Sequence, residues 1–252
     1  MKLLPLPVIN IKQSGFTLVE LSIVMIIIGL LIGGIFGGMK LVENANVQKT
    51  IQDLKSFDAA GITFKDTYRA LPGDMRNAST RLPNCTATPC ATNGNGDRKI
   101  GGDLANSPII ATDEEFTFWS HLSAAGLISA SIQPTTNLMF GEGQPETPIN
   151  GGYRMWGYYN GLFWTTNNIS SRHVLWMSDK YSDDFGTATS QDQDSIPCRL
   201  SRQVDTKMDD GMPVTGRVMV WGACYAAPLT ATSGWATNAS SLNAAVHYVL
   251  AF

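Results

Sequence analysis

From Leu21 to Met39 the chain carries no charged residue, and Leu, Ile, Val, Met, Phe and Gly fill nearly every position. A helix of about 19 residues rises roughly 28 Å, close to the thickness of a bilayer's hydrocarbon core. The run is too long for the apolar region of a cleaved secretory signal. Beyond it the pattern changes. Val47, Ile51, Leu54, Phe57, Gly61, Phe64, Tyr68 and Leu71 recur every three or four positions, while Lys49, Gln52, Asp53, Lys55 and Asp58 fill the other faces. That spacing predicts an amphipathic helix continuing the apolar one. Together they make one helix from about Thr17 to Ala70, roughly 80 Å long. Pro72 stops it, because proline lacks an N–H and restricts the residue before it. Leu71-Pro72-Gly73-Asp74 then fits a type II turn. The apolar stripe of the outer half needs a head to cover it.

The rest of the chain supplies that head. Ala78 to Pro108 reads as loop. Thr112-Asp113-Glu114-Glu115 reads as a capping box opening a helix with Phe116, Trp119 and Leu122, ending near Gly126. In that helix Trp119 is expected in the core and His121 at the surface. Tyr153–Tyr159 and Leu162–Thr166 flank Asn160-Gly161, the strongest hairpin signal in the chain. His173–Met177, Arg217–Tyr225 and Ala245–Phe252 are further strand candidates, rich in aromatic and β-branched residues. Ser195-Ile196-Pro197 reads as the start of a helix with a serine cap and proline in its first turn, ended by Asp209-Asp210-Gly211. No βαβ alternation occurs. The expected fold class is α+β, with an antiparallel sheet leaning on the long helix.

Composition narrows the setting. The chain has 252 residues, a formal net charge of −3, 44% hydrophobic and 15% charged residues. It can bury a core, but it has no basic cluster for nucleic acid. Four cysteines, Cys85, Cys90, Cys198 and Cys224, form an even set suited to an oxidising compartment. Three pairings are possible; the local one, Cys85–Cys90 and Cys198–Cys224, is favoured because each pair brackets one segment. Lys2 and Lys12 precede the apolar run and place the short N-terminal segment in the cytoplasm.

An ordinary single-pass anchor accounts for all of this except Glu20 and the Gly15–Phe16 junction. Gly15-Phe16-Thr17-Leu18-Val19-Glu20 followed by an apolar helix resembles the prepilin signal of type IV pilins and type II secretion pseudopilins. The resemblance implies a cut by prepilin peptidase after Gly15 and methylation of the new N-terminal Phe16. It makes Glu20 the fifth mature residue, where the family places its glutamate. It also implies a pilin-like architecture: a leader over 1–15, a long helix over 16–70 with its transmembrane part at about 21–39, and a globular head over 71–252. Tyr68-Arg69-Ala70-Leu71-Pro72-Gly73-Asp74 is similar to a segment of one branch of pilin-like proteins.

A carboxylate at hydrocarbon depth needs a partner. Cleavage creates an amine at Phe16, and Glu20 of one subunit is expected to meet that amine on a neighbour. Desolvation opposes the attraction, so the pair sets register rather than adding net stability. The competing reading is a Glu20 that snorkels to water. Gly29, Gly33, Gly34, Gly37 and Gly38 let helices approach closely and also soften the helix, each by about 1 kcal/mol relative to alanine.

Metal and catalytic signals are thinner. Asn93, Asn95 and Asp97 alternate like the first ligands of a calcium loop, but Arg98 stands where the loop's glycine belongs and no glutamate closes it. A turn is the preferred reading there. Asp205, Asp209 and Asp210 put three carboxylates within six residues, at a helix C-terminus that disfavours them. A helix-terminating turn is preferred and calcium is the alternative. His121, His173 and His247 lack metal spacing, and no nucleophile or phosphate-loop motif occurs. No enzyme activity and no obligatory cofactor are expected.

The resemblance implies a structural subunit of a type IV pilus-like filament, and a minor pilin, because the chain is larger than that family's usual major pilin. The alternatives are a pseudopilin of a type II secretion system and a membrane-anchored binding protein or enzyme. Expected partners are prepilin peptidase, other pilin subunits through the N-terminal helix, the inner-membrane assembly platform and, before assembly, the lipid bilayer. The head is expected in the periplasm, then on a surface pilus or periplasmic pseudopilus.

Overall fold

A computed structural model of the chain describes residues 15–101, 113–128, 140–159, 172–178, 196–222, 224, 233–236 and 243–252. Helix α1 runs from Leu18 to Tyr68, and the chain falls into two compact units, Met1–Asn44 and Ala45–Phe252. In the first unit the apolar side chains of α1 are exposed, from Leu18 through Val42. The helix stays regular through Gly33–Gly38. This stretch is long and apolar enough to cross a membrane.

The second unit is α+β. Short helix α2 (Ala78–Arg81) sits in what the composition reads as loop, and helix α3 (Glu114–Ala124) follows. Strands β1 (Gly152–Tyr159) and β2 (Arg172–Ser178) pair antiparallel along their whole length, with a bulge between Met155 and Gly157. The two-residue strand β3 (Ile196–Pro197) leads into helix α4 (Cys198–Met208). Strands β4 (Val218–Gly222) and β5 (Asn243–Val249) complete the sheet. β5 is central. β2 pairs with its Val246–Val249 stretch, β3 with Asn243 and Ala244 beyond that, and β4 lies along its opposite edge, all antiparallel.

One sheet face packs on the outer half of α1. Leu54, Phe57 and Phe64 of α1 join Trp119 and Leu122 of α3 and Tyr153, Met155, Leu175, Val218 and Tyr248 of the strands in one core. The Phe57 ring meets both Trp119 and Tyr153 edge-on, each with centroids 5.0 Å apart. The predicted stripe is the buried one: Val47, Ile51, Leu54, Phe57, Gly61, Phe64 and Leu71 lie inside, and Tyr68 is half-buried against the core. Gly61 is a notch, since a methyl there would stand 2.1 Å from the Phe252 ring.

Several expectations shift. α1 ends at Tyr68 rather than Ala70, because Arg69 already takes a left-handed φ of 55°. Gly73 has the φ of 87° that the third residue of a type II turn demands. Thr112 lies outside the described residues, and α3 is capped instead at Asp113, with no side-chain cap bond. The Glu114 side chain turns to the 93–101 loop. Ile196 and Pro197 pair with β5 instead of opening a helix, so Pro197 is the residue before the first turn of α4. His121 is buried, not at the surface, because both ring nitrogens hold backbone groups. Ser195, Asn160-Gly161 and the Leu162–Thr166 strand lie outside the described residues; β1 is seen paired with β2.

Two disulfides close local loops, Cys85–Cys90 and Cys198–Cys224. The second lies in a small core of its own with Val220 and Ala244, flanked by Trp235.

Candidate functional site

Gly15, Phe16 and Thr17 precede the first turn of α1 in non-helical conformation and are exposed. Phe16 is 82% exposed, and among the described residues nothing lies within 4 Å of where a side chain on Gly15 would begin.

Thr17 and Glu20 form a capping box at the start of α1. Glu20 Oε2 accepts from the Thr17 N–H at 2.8 Å and from the Thr17 hydroxyl at 2.9 Å. The Glu20 N–H donates back to Thr17 Oγ1 at 3.2 Å. Two backbone donors that a helix start leaves open are thus satisfied reciprocally. The carboxylate also lies at the end of the helix where the macrodipole favours negative charge. Within a single chain Glu20 already has a partner, and that partner is Thr17. Thr17 is the residue the sequence reading missed; its spacing, Thr-x-x-Glu before an apolar run, carries the signal.

Of the candidate metal ligands, Asn93, Asn95 and Asp97 organise their own loop. Asn93 Oδ1 accepts from the Ala78 N–H, Asn95 Oδ1 from the Asp97 N–H, and Asp97 Oδ1 from the Lys99 N–H. Two further carboxylates hold the same loop from outside. Asp74 accepts from the N–H groups of Asp97 and Arg98, and Glu114 from those of Asn95 and Gly101. Asp74, Asp97 and Glu114 come within 4.8 Å of one another. Burial raises both the Asp74 and the Glu114 carboxyl above the usual range, against the backbone hydrogen bonds that favour charge.

Asp205, Asp209 and Asp210 also converge, with one carboxylate oxygen of each within 4.8 Å of the others. Asp209 Oδ2 accepts from the N–H groups of Arg217 and Val218. Asp210 accepts from the Met212 N–H and the Thr215 hydroxyl. Burial, then the charges of Asp210 and Asp209, push the Asp205 carboxyl up to about 7.

The three histidines are buried in the head. His121 Nδ1 accepts from the Gly73 N–H at 2.8 Å, and Nε2 donates to Cys90 O at 3.0 Å. His173 Nε2 accepts from the Ile100 N–H, while Nδ1 donates to Phe252 O. His247 stacks on Trp176. Burial lowers the pKa of all three, His121 and His247 to about 4.

The prokaryotic N-terminal methylation motif matches residues 10–36. The match covers Gly15, Phe16, Thr17, Glu20 and most of the apolar run, so the chain carries the prepilin signal of type IV pilins and pseudopilins. No curated protein and no solved structure matches the chain.

Proposed function

We propose that the chain is a structural subunit of a type IV pilus-like filament, a minor pilin, drawn from the inner membrane through its N-terminal helix. The observation that carries this reading is the Gly15-Phe16-Thr17 joint. It is non-helical and exposed, stands directly before a capped apolar helix, and falls inside the matched motif. Prepilin peptidase removes residues 1–15 on the cytoplasmic side and methylates Phe16. The exposed apolar surface of α1 is covered first by lipid and then by the same helix of other subunits. Glu20 lies four residues from the new amine, and in the filament it receives the Phe16 amine of a neighbour. The glycines from Gly29 to Gly38 let packed helices approach and let the segment Gly33–Gly38 loosen on assembly.

The bridge-closed head suits an oxidising compartment outside the cytoplasm. The test is mass spectrometry of sheared surface fibres. The expected result is a chain beginning at N-methylated Phe16 in that fraction. An intact Met1 overturns the processing. Recovery only in periplasmic assemblies reassigns the chain as a pseudopilin.

A further inference from the structure

The end of α4 concentrates negative charge where a helix already carries a partial negative charge of its own. Asp205 lies in the last turn, and Asp209 and Asp210 follow directly after it. Asp209 and Asp210 are tied to the backbone and hydroxyl donors of the turn leading to β4. Asp205 differs from both. It is fully buried, and neither of its carboxylate oxygens has a hydrogen-bond partner among the described residues. The Gly211 N–H is close enough to favour its charge but closes no hydrogen bond with it. The Arg217 guanidinium is directed to Asp58 and Val249 O. A buried carboxylate without donors is costly, and a cation is one of the few partners that relieves it.

We propose that Asp205, Asp209 and Asp210 bind a calcium ion that clamps the end of α4 to the turn leading into β4. All three side chains offer oxygen, which suits a hard cation and not zinc or copper. They come from a helix end and an irregular turn. Calcium's adaptable coordination accepts such a set more readily than magnesium's strict octahedron. The ion neutralises the acidic helix end and gives both Asp205 oxygens a partner. It also secures a segment whose other end, Cys198, is bonded to Cys224. The Asp74–Asp97–Glu114 cluster is a different case, since each of its three carboxylates accepts at least one backbone N–H and none is left without a donor as Asp205 is.

The full chain in detergent, stripped with a chelator, provides the test. Calcium is titrated while thermal unfolding is followed. At ten times the dissociation constant the midpoint should rise by about 3 °C. Asp205→Asn should abolish the shift, and Asp97→Asn should keep it. Terbium gives an independent readout. Trp235 donates its indole N–H to Gly211 O at 2.9 Å, so it stands beside the site and should sensitise terbium emission that calcium quenches by competition. No shift in the wild type, an unchanged shift in Asp205→Asn, or loss in Asp97→Asn instead would each overturn the site. An equal shift with magnesium overturns the assignment to calcium. If Asp205→Asn does not fold, absent or calcium-insensitive terbium emission in the wild type overturns the proposal.

Discussion

His121 in α3 receives the backbone N–H of Gly73 at 2.8 Å, across 48 positions of sequence. Its other nitrogen donates to Cys90 O. One neutral ring thus joins the turn that ends the helical arm to the first disulfide loop. The neutral form with the proton on Nε2 is required, since Nδ1 must accept.

That requirement sets a pH dependence. The His121 pKa falls from about 6.5 in the unfolded chain to about 4 in the fold, because burial penalises the cation. Between those values the unfolded chain binds the extra proton, so stability rises with pH. The contribution is fully present above pH 6.5 and is lost as pH falls toward 4, at about 1.4 kcal/mol per pH unit. His121→Gln should flatten this part of the profile in denaturant unfolding at stepped pH. An unchanged slope would show that His121 does not carry it.

Asp58 on α1 gathers the C-terminal strand. It accepts from Arg217 Nη2 at 2.7 Å, from the Ala251 N–H at 2.7 Å and from the Tyr248 hydroxyl at 3.4 Å. Arg217 is partly exposed, so the ion pair itself adds little; the buried donors matter more. Asp58→Ala should cost about 2–3 kcal/mol, because it leaves those donors unsatisfied. Asp58→Asn should cost less, since an amide oxygen still accepts. Urea midpoints of the two variants decide the order.

Gly73 has little freedom to change. Its φ is 87°, and a methyl there would stand 2.3 Å from Glu114 O. Gly73→Ala should destabilise the head by about 1–3 kcal/mol through backbone strain, with the clash against fixed backbone adding to it. A thermal midpoint equal to that of the wild type would refute this.

The two bridges should differ in weight. Cys198–Cys224 closes a separation of 26 residues and Cys85–Cys90 one of 5. Chain entropy then assigns about 3.5 kcal/mol to the first and about 2 kcal/mol to the second. Paired Cys→Ala variants compared by denaturant unfolding should show that order.

Thr17 and Glu20 separate two roles of one carboxylate. Thr17→Ala removes the cap and should cost α1 about 1 kcal/mol, while leaving the Glu20 charge. Glu20→Ala should leave a processed membrane protein that is missing from sheared fibres. Immunoblots of fibre and membrane fractions test both. Normal incorporation of Glu20→Ala would remove the assembly role.

Periodicity determined much of this protein. A helical stripe is a local property, so Val47 to Phe64 named the face that packs, and the uncharged run named the segment long and apolar enough to cross a membrane. The prepilin signal is equally local, because the motif is one short stretch of chain with the helix that follows it. β3 reads as the start of a helix, whereas β1, β2, β4 and β5 were legible within a few residues. Their pairing was not: that β5 is central, and that Ile196 and Pro197 join it rather than α4, depends on partners far away in sequence. The same holds for the buried polar groups. His121 looks like a surface residue on an isolated helix, and only the arrival of Gly73 and Cys90 makes its burial affordable. Asp205 reads as one more acid at a helix end. Only packing shows that both its oxygens are shut away from water without a donor among the described residues, since burial belongs to the assembled head and not to any stretch of chain.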